Sequence, residues 1–249
     1  MKPETKLSIA EDRLFPPILP SDHILEDPTT GLSYPLFPDV NHTTGLPIQK
    51  PKTIVVSIHG ACKRNGQAGA KAAYSLYFGK GSKFNTADYL PKVLSHKSQN
   101  AQLYACQRAV EVIEDVVDRD LDGGLETVII KTHSSYLVKC FSEYVFEWEK
   151  NGYLNAHGNP VINRVAVEKI QNLLVESTKE GRAKYQFWLV GKTDNSDTIL
   201  LAKEVFKKYV FWSFLSSQRS LGFKQILKLP WGFTRFFHRK LQKLILNAL

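Results

Sequence analysis

The run Thr53-Ile-Val-Val-Ser-Ile58 is apolar and β-branched almost throughout, the pattern of a strand buried on both faces. A glycine- and asparagine-containing turn follows. Ala72–Phe78 then reads as a second strand and Ser82–Thr86 as a short third one, giving a hairpin-linked meander. Ala101, Tyr104, Ala105, Ala109, Val112 and Val116 recur near i, i+3, i+4 and predict a helix over Ser98–Asp118. Ser98 is its N-cap candidate, and Asp122-Gly-Gly124 breaks it. Thr127–Thr132 repeats the buried-strand pattern, and a helix follows over Ser134–Trp148. Asn151–Asn163 is a loop rich in Gly, Pro and Asn, Arg164–Lys179 a helix, Tyr185–Val190 a last strand, and Thr198–Tyr209 the start of a closing helix. This alternation predicts an α/β domain.

The flanks read differently. Residues 1–51 hold nine of the twelve prolines and show little periodicity, which argues against a long helix or a central strand. This proline-rich N-terminal extension is expected to be extended or partly disordered, with Leu14-Phe-Pro-Pro-Ile-Leu19 tucked onto the domain. Beyond residue 209 come Phe211–Arg219, Leu221–Leu229, a break at Pro230, and Phe233–Leu249. In the last segment Phe233, Phe236, Phe237, Leu241, Leu244 and Ile245 share one face, and Arg235, Arg239, Gln242 and Lys243 lie elsewhere, as in an amphipathic helix. The expected organisation is an extension over 1–51, a domain over 52–209 and a basic amphipathic extension over 210–249.

Charge sharpens this division. The chain carries a formal +9, yet residues 205–249 contain nine Lys and Arg and no acid, so the remaining residues sum to zero. Attraction for anions is a C-terminal property. The tail's alternatives are packing on the domain, binding nucleic acid, or docking on a membrane surface or a partner's groove. Residues 1–12 are polar with no apolar core, and no apolar run nears the ~18–20 residues of a membrane span; the expected setting is the cytoplasm or nucleus, and the expected state a monomer. Cys62, Cys106 and Cys140 show no CxxC spacing and read as reduced thiols. The Asn41-His-Thr43 sequon is idle without secretion.

Four segments then resemble one family. Ile58-His-Gly-Ala-Cys62 with Asn65-Gly66 is similar to T-D-G-A-C-x-x-N-G, and Ser98-Gln-Asn-Ala-Gln-Leu-Tyr-Ala105 to S-Q-R-A-E-L-x-A. Val128-Ile-Ile-Lys-Thr-His-Ser-Ser-Tyr-Leu-Val138 is similar to I-x-T-D-S-x-Y-L-V, and it continues into Trp148-Glu-Lys-Asn-Gly-Tyr153 and Pro160-Val-Ile-Asn163. Phe187–Asn195, running on to Leu201-Ala202, is similar to the family's closing W-V…N-x-x-A-D-x-L-A. Order and spacing together resemble the ribonuclease H type 1 domain, with wording nearest to fungal members. The resemblance covers 53–209 and implies an RNase H-like mixed five-stranded sheet with helices on both faces.

By that resemblance the family's four catalytic acids fall on His59, Gln102, His133 and Ile199. Two Mg²⁺ ions held by four carboxylates carry out the family's cleavage of RNA in RNA/DNA hybrids. Here the positions sum to zero charge with neutral imidazoles, one oxygen donor and one side chain that cannot coordinate. The expectation is a pseudoenzyme with no intact catalytic residue, no metal and no cofactor. Its alternatives are Asp194 or Asp197 reaching a metal in a slipped register, or His59 and His133 binding a borderline ion such as Zn²⁺. The resemblance also implies nucleic-acid contacts, to RNA/DNA hybrid or double-stranded RNA, at Asn65, Gln99, Ser134, Tyr144, Trp148, Tyr153 and Asn163. Three functions follow for test: a nucleic-acid-binding pseudo-ribonuclease, an active Mg²⁺-dependent hybrid endoribonuclease, and a scaffold whose basic tail docks on a membrane or partner.

Overall fold

The computed structural model describes residues 13–15, 23–40, 47–49, 52–117 and 124–218. The Asn41 sequon, residues 16–19 of the apolar N-terminal segment, and the tail segments beyond residue 218 lie outside the described residues. The chain divides into two compact units, Met1–Val205 and Phe206–Leu249. No described helix is long and apolar enough to cross a membrane.

Strands β1 (Ile24–Asp27), β2 (Leu32–Val40) and β3 (Pro47–Gln49) precede the long strand β4 (Thr53–Lys63); β5 (Lys71–Tyr77) and β6 (Thr86–Tyr89) follow it. Helix α1 (Ser98–Val112) runs into a wide π-type turn at Ile113–Val117. Then come β7 (Thr127–Thr132), α2 (Ser135–Lys139), a second wide turn at Cys140–Tyr144, α3 (Val145–Asn151), α4 (Arg164–Lys179), β8 (Lys184–Leu189) and α5 (Ser196–Gln218). β4 pairs with β5 antiparallel over Ser57–Lys63 and with β7 parallel over Thr53–Ser57; β6 flanks β5, and β8 pairs with β7 in parallel. This mixed five-stranded core is the α/β, RNase H-like sheet expected.

The sheet is larger than expected, because the N-terminal segment adds strands to reach eight in all. β1 and β2 form an antiparallel hairpin, β3 pairs with β2, and β2 meets β4 at Ser33↔Val55. The lead-in expected to be extended or partly disordered over 1–51 is thus, among its described residues, largely paired strand. Proline costs a ladder bond only where its nitrogen must donate to a neighbour. Pro35 lies past the one pairing with β4, and on the β1 side it is Leu36 N–H that donates, to His23 O at 2.9 Å. The expected docking of the Leu14 segment does occur at residues 13–15: Phe15 N–H donates to Phe187 O (3.0 Å) and Phe187 N–H to Arg13 O (2.7 Å). Arg13 is buried, donating to Gln171 Oε1 at 2.6 Å, and Phe15 rests against Trp188.

Other boundaries move too. The third strand is Thr86–Tyr89, not Ser82–Thr86. Phe84 there is buried and packs on Phe78, so its apolar signal is a core contact made from a turn. The helix expected over Ser134–Trp148 is divided by the wide turn at Cys140–Tyr144, and that over Ser98–Asp118 is α-helical only to Val112. The closing helix starts at Ser196. Ser98 does not cap α1; Lys97 holds the N-cap position without a side-chain bond, and Asn65 Oδ1 accepts from Ser98 N–H at 3.1 Å.

Alternation along β4 sorts the two cores. Ile54, Val56 and Ile58 face the large core under α1, α2, α3 and α4; Val55 joins Ile129, Trp188 and Phe15 on the opposite face. At Gly60 the strand and α1 touch backbone to backbone. A Cβ there would lie 2.3 Å from Ala101 C and Gln102 N, in positions that neither backbone can vacate cheaply. Gly60→Ala is expected to destabilise the protein by about 3 kcal/mol or more, the upper end of overpacking costs. Urea unfolding of the variant checks this, and a loss below about 1 kcal/mol would show that helix and strand are not so constrained.

Candidate functional site

His59 extends from β4 on the Val55 face, one residue before the Gly60 contact, and His133 follows directly after β7. The parallel register that sets Ser57 opposite Lys131 carries both histidines to the same end of the sheet. Their ring centroids are 5.0 Å apart and the planes tilted by 34°. From the next turn Asn195, 1% exposed, donates through Nδ2 to Ile58 O (3.0 Å) and shares a 3.1 Å contact with His133 Nδ1. An amide nitrogen must donate, so the Ile58 bond orients Asn195 and makes His133 Nδ1 an acceptor, leaving its ring proton on Nε2. Beside them, Ser75, paired with His59 across β4 and β5, donates to Thr198 O at 2.7 Å and pins the first turn of α5.

The third part of the cluster comes from α1. Gln102 Oε1 accepts a 2.7 Å hydrogen bond from Ser134 Oγ, whose lone pair in turn accepts from Leu137 N–H as the N-cap of α2. His59, His133 and the Gln102–Ser134 pair thus share the ends of β4, β7 and α1. Ile199 is buried in the first turns of α5.

Electrostatics hold the histidines neutral. Burial, reinforced by His133, Lys192 and Lys203, pushes the His59 imidazole down to about 4, and burial with Lys192 lowers that of His133 as well. His59 Nδ1 is buried with no hydrogen-bond partner. Among the described residues, no three His, Cys, Asp or Glu side chains converge as a metal site would require.

The RNase H family model matches residues 51–196. The chain belongs to the RNase H family. Ribonuclease H1 of Homo sapiens is 27% identical over 120 residues, 47% of this chain and 39% of the relative; Ribonuclease H1 of Rattus norvegicus is 26% identical over 113 residues, 45% and 36%. The chain therefore spans about two fifths of the length of these relatives. Among solved structures, LC11-RNase H1 in complex with RNA/DNA hybrid is similar at 16% identity and a TM-score of 0.43, over 63% of this chain and 98% of the other. A foamy viral protease-reverse transcriptase in complex with dsDNA is similar at 17% and 0.46, over 61% and 92%. Ile199 and Asp197 fall just outside the RNase H match, within the helix it leads into.

The contact residues expected for nucleic acid are dispersed. Gln99 is exposed in the first turn of α1, and the exposed Asn65, in the turn after β4, accepts through Oδ1 from Ser98 N–H there. Ser134 is buried and doubly bonded, a helix cap more than a free donor. Tyr144 and Trp148 pair on one helical face with ring centroids 5.6 Å apart, Tyr144 exposed. Tyr153 is buried under Arg164, whose guanidinium carbon lies 5.5 Å from its ring centroid, and Asn163 takes a left-handed conformation (φ 63°) at the N-cap of α4. The last two therefore shape the loop between α3 and α4. Sequence reasoning passed over Asn195 and Thr198 as individual residues, although both lie in or beside the closing motif. It also passed over Lys192 and Lys203, whose relation to His59 no local pattern announces.

The depressed His59 has a consequence for stability. The unfolded imidazole takes up a proton near pH 6.5, whereas the folded one resists until about 4. Its contribution is full above pH 6.5, falls as the pH drops through that window, and is gone below it. The amount at stake is on the order of 2–3 kcal/mol. Denaturation of the parent and of His59→Asn at pH 7.5 and pH 4.5 is expected to show a smaller acid loss in the variant; equal losses would mean His59 is not held neutral.

Proposed function

We propose that the chain is a nucleic-acid-binding member of the RNase H family that has lost cleavage: a pseudo-ribonuclease recognising RNA/DNA hybrid or double-stranded RNA. The observation carrying this reading is the occupancy of the cluster at the ends of β4, β7 and α1. Mg²⁺ needs hard oxygen donors in near-octahedral geometry. The residues at the family's acid positions do not fit it. His59 and His133 offer softer imidazole nitrogens, Gln102's oxygen is neutral and already bonded to Ser134, and Ile199 has no donor. Lys192 acts on both imidazoles, and Lys203 on that of His59, as positive charges, a field that repels a divalent cation and attracts a phosphate. Family membership supports a nucleic-acid surface, with the exposed Asn65, Gln99 and Tyr144 and the half-buried Trp148 as its contacts and the C-terminal cations supplying long-range attraction.

Two measurements on one labelled RNA/DNA hybrid test the reading. The purified protein is expected to bind the hybrid in a salt-sensitive manner and to leave the RNA intact in Mg²⁺ or Mn²⁺. Metal-dependent cleavage that disappears on Asp197→Asn would replace this reading with an active endoribonuclease. Absence of binding at low salt would replace it with a scaffold docking through its tail. Restoring acids by His59→Asp, Gln102→Glu, His133→Asp and Ile199→Asp together is expected to bring back Mg²⁺ binding and some cleavage.

A further inference from the structure

Two residues back from His59 along β4, the same sheet face opens into a cavity of about 250 Å³. Ile24, Glu26 and Ser33 of the β1–β2 hairpin close one side of it, and Asp194 and Asp197 at the start of α5 close another. The hairpin residues lie outside the 51–196 family match, so this cavity is not built by the RNase H domain alone. Its volume falls below the ~300 Å³ lower bound of drug-sized sites, and its ligand is correspondingly small.

Lys131 lines this cavity and is only 7% exposed. Its ammonium makes no hydrogen bond or ion pair among the described residues; the Trp188 ring, with its centroid 5.9 Å from Nζ, is a weak cation–π neighbour. A buried ammonium lacking acceptors is costly, and burial lowers its affinity for the proton despite Asp197, Asp194 and Glu26 nearby. Those three carboxylates line the same cavity beyond ion-pair distance of Lys131. Glu26 is fixed, accepting from Tyr77 Oη at 2.9 Å and Lys80 N–H at 3.1 Å, while Asp194 and Asp197 are exposed.

One deep cation and three separated carboxylates call for a ligand with charges of both signs at its two ends. Phosphate would satisfy Lys131 but face the carboxylates. A polyamine would satisfy the carboxylates but add a cation beside Lys131. No three of the carboxylates and other donors converge to hold a metal. We propose that the cavity binds a free basic amino acid. Its α-carboxylate accepts from the Lys131 ammonium, and its α-ammonium and side-chain cation face Glu26, Asp194 and Asp197. With two cations and one carboxylate, such a ligand carries +1 into a lining that sums to −2. The site is independent of nucleic-acid binding and stands or falls separately from it.

Calorimetric titration of the full chain tests this with L-arginine, L-lysine, agmatine (arginine without its carboxylate) and acetate. Arginine or lysine is expected to bind with a Kd at or below about 1 mM, and agmatine and acetate at least ~10-fold more weakly. Lys131→Met should weaken arginine binding at least ~10-fold while leaving hybrid binding unchanged. Because Lys131 is buried, the exposed substitution Asp197→Asn provides a second arm that does not endanger folding, with weaker arginine binding expected. The proposal is overturned by agmatine binding as tightly as arginine, by unchanged binding in the folded Lys131→Met or the Asp197→Asn variant, or by no saturable binding of arginine or lysine up to about 20 mM.

Discussion

The backbone contact at Gly60 is the constraint on which the site depends. A side chain there would drive α1 away from β4, since its Cβ would sit 2.3 Å from the Ala101 carbonyl carbon. With glycine the helix settles onto the strand, and Gln102, the next residue of α1, reaches Ser134. Ser134 caps α2 immediately after His133, so one close approach ties together the ends of β4, α1 and β7. Asn195 adds the fourth tie by bonding to Ile58 O, directly before His59. The scaffold that gathers four segments at one point is intact, whatever side chains now occupy that point.

On the proposed reading, those side chains reverse the electrical character of the place. Four clustered carboxylates repel one another until cations arrive. Two imidazoles held neutral by burial, with Lys192 acting on both and Lys203 on His59, need no such partner. Neutral rings 5.0 Å apart can pack without the Coulomb cost of a doubly protonated pair. Two residues away the same strand face holds the buried Lys131 among Glu26, Asp194 and Asp197, a separate lining of mixed charge, where Val55 and Ile129 are apolar.

Much of this was legible from residue pattern. The β-branched runs at Thr53–Ile58 and Thr127–Thr132 mark central strands because both faces are covered, and helix periodicity at Arg164–Lys179 gave its bounds without error. The N-terminal strands were not legible, because proline density is a sound argument against a central strand but a weak one against a hairpin added at the margin of a sheet. Nor was the break at Cys140–Tyr144, since a wide turn preserves the apolar spacing on either side. At the site, His59, Gln102 and His133, singled out by motif order, lie in one cluster, while Asn65 and Ser134, read as ligand contacts, also accept from backbone N–H groups in the first turns of α1 and α2. Short polar side chains serve caps and ligands with the same atoms, and only geometry separates the two uses. Lys131 was hidden for another reason: the carboxylates that share its cavity lie in β1 and at the turn into α5, far away in sequence.

The central claim is that the cluster at His59 and His133 faces phosphate and not a divalent metal. Proton–nitrogen correlation spectra of the two imidazoles, recorded during separate titrations with Mg²⁺ and with an RNA/DNA hybrid, address it most directly. The account predicts that both ring signals shift on adding hybrid and stay in place through millimolar Mg²⁺. Saturable Mg²⁺ shifts at His59 and His133, with none from the hybrid, would contradict it.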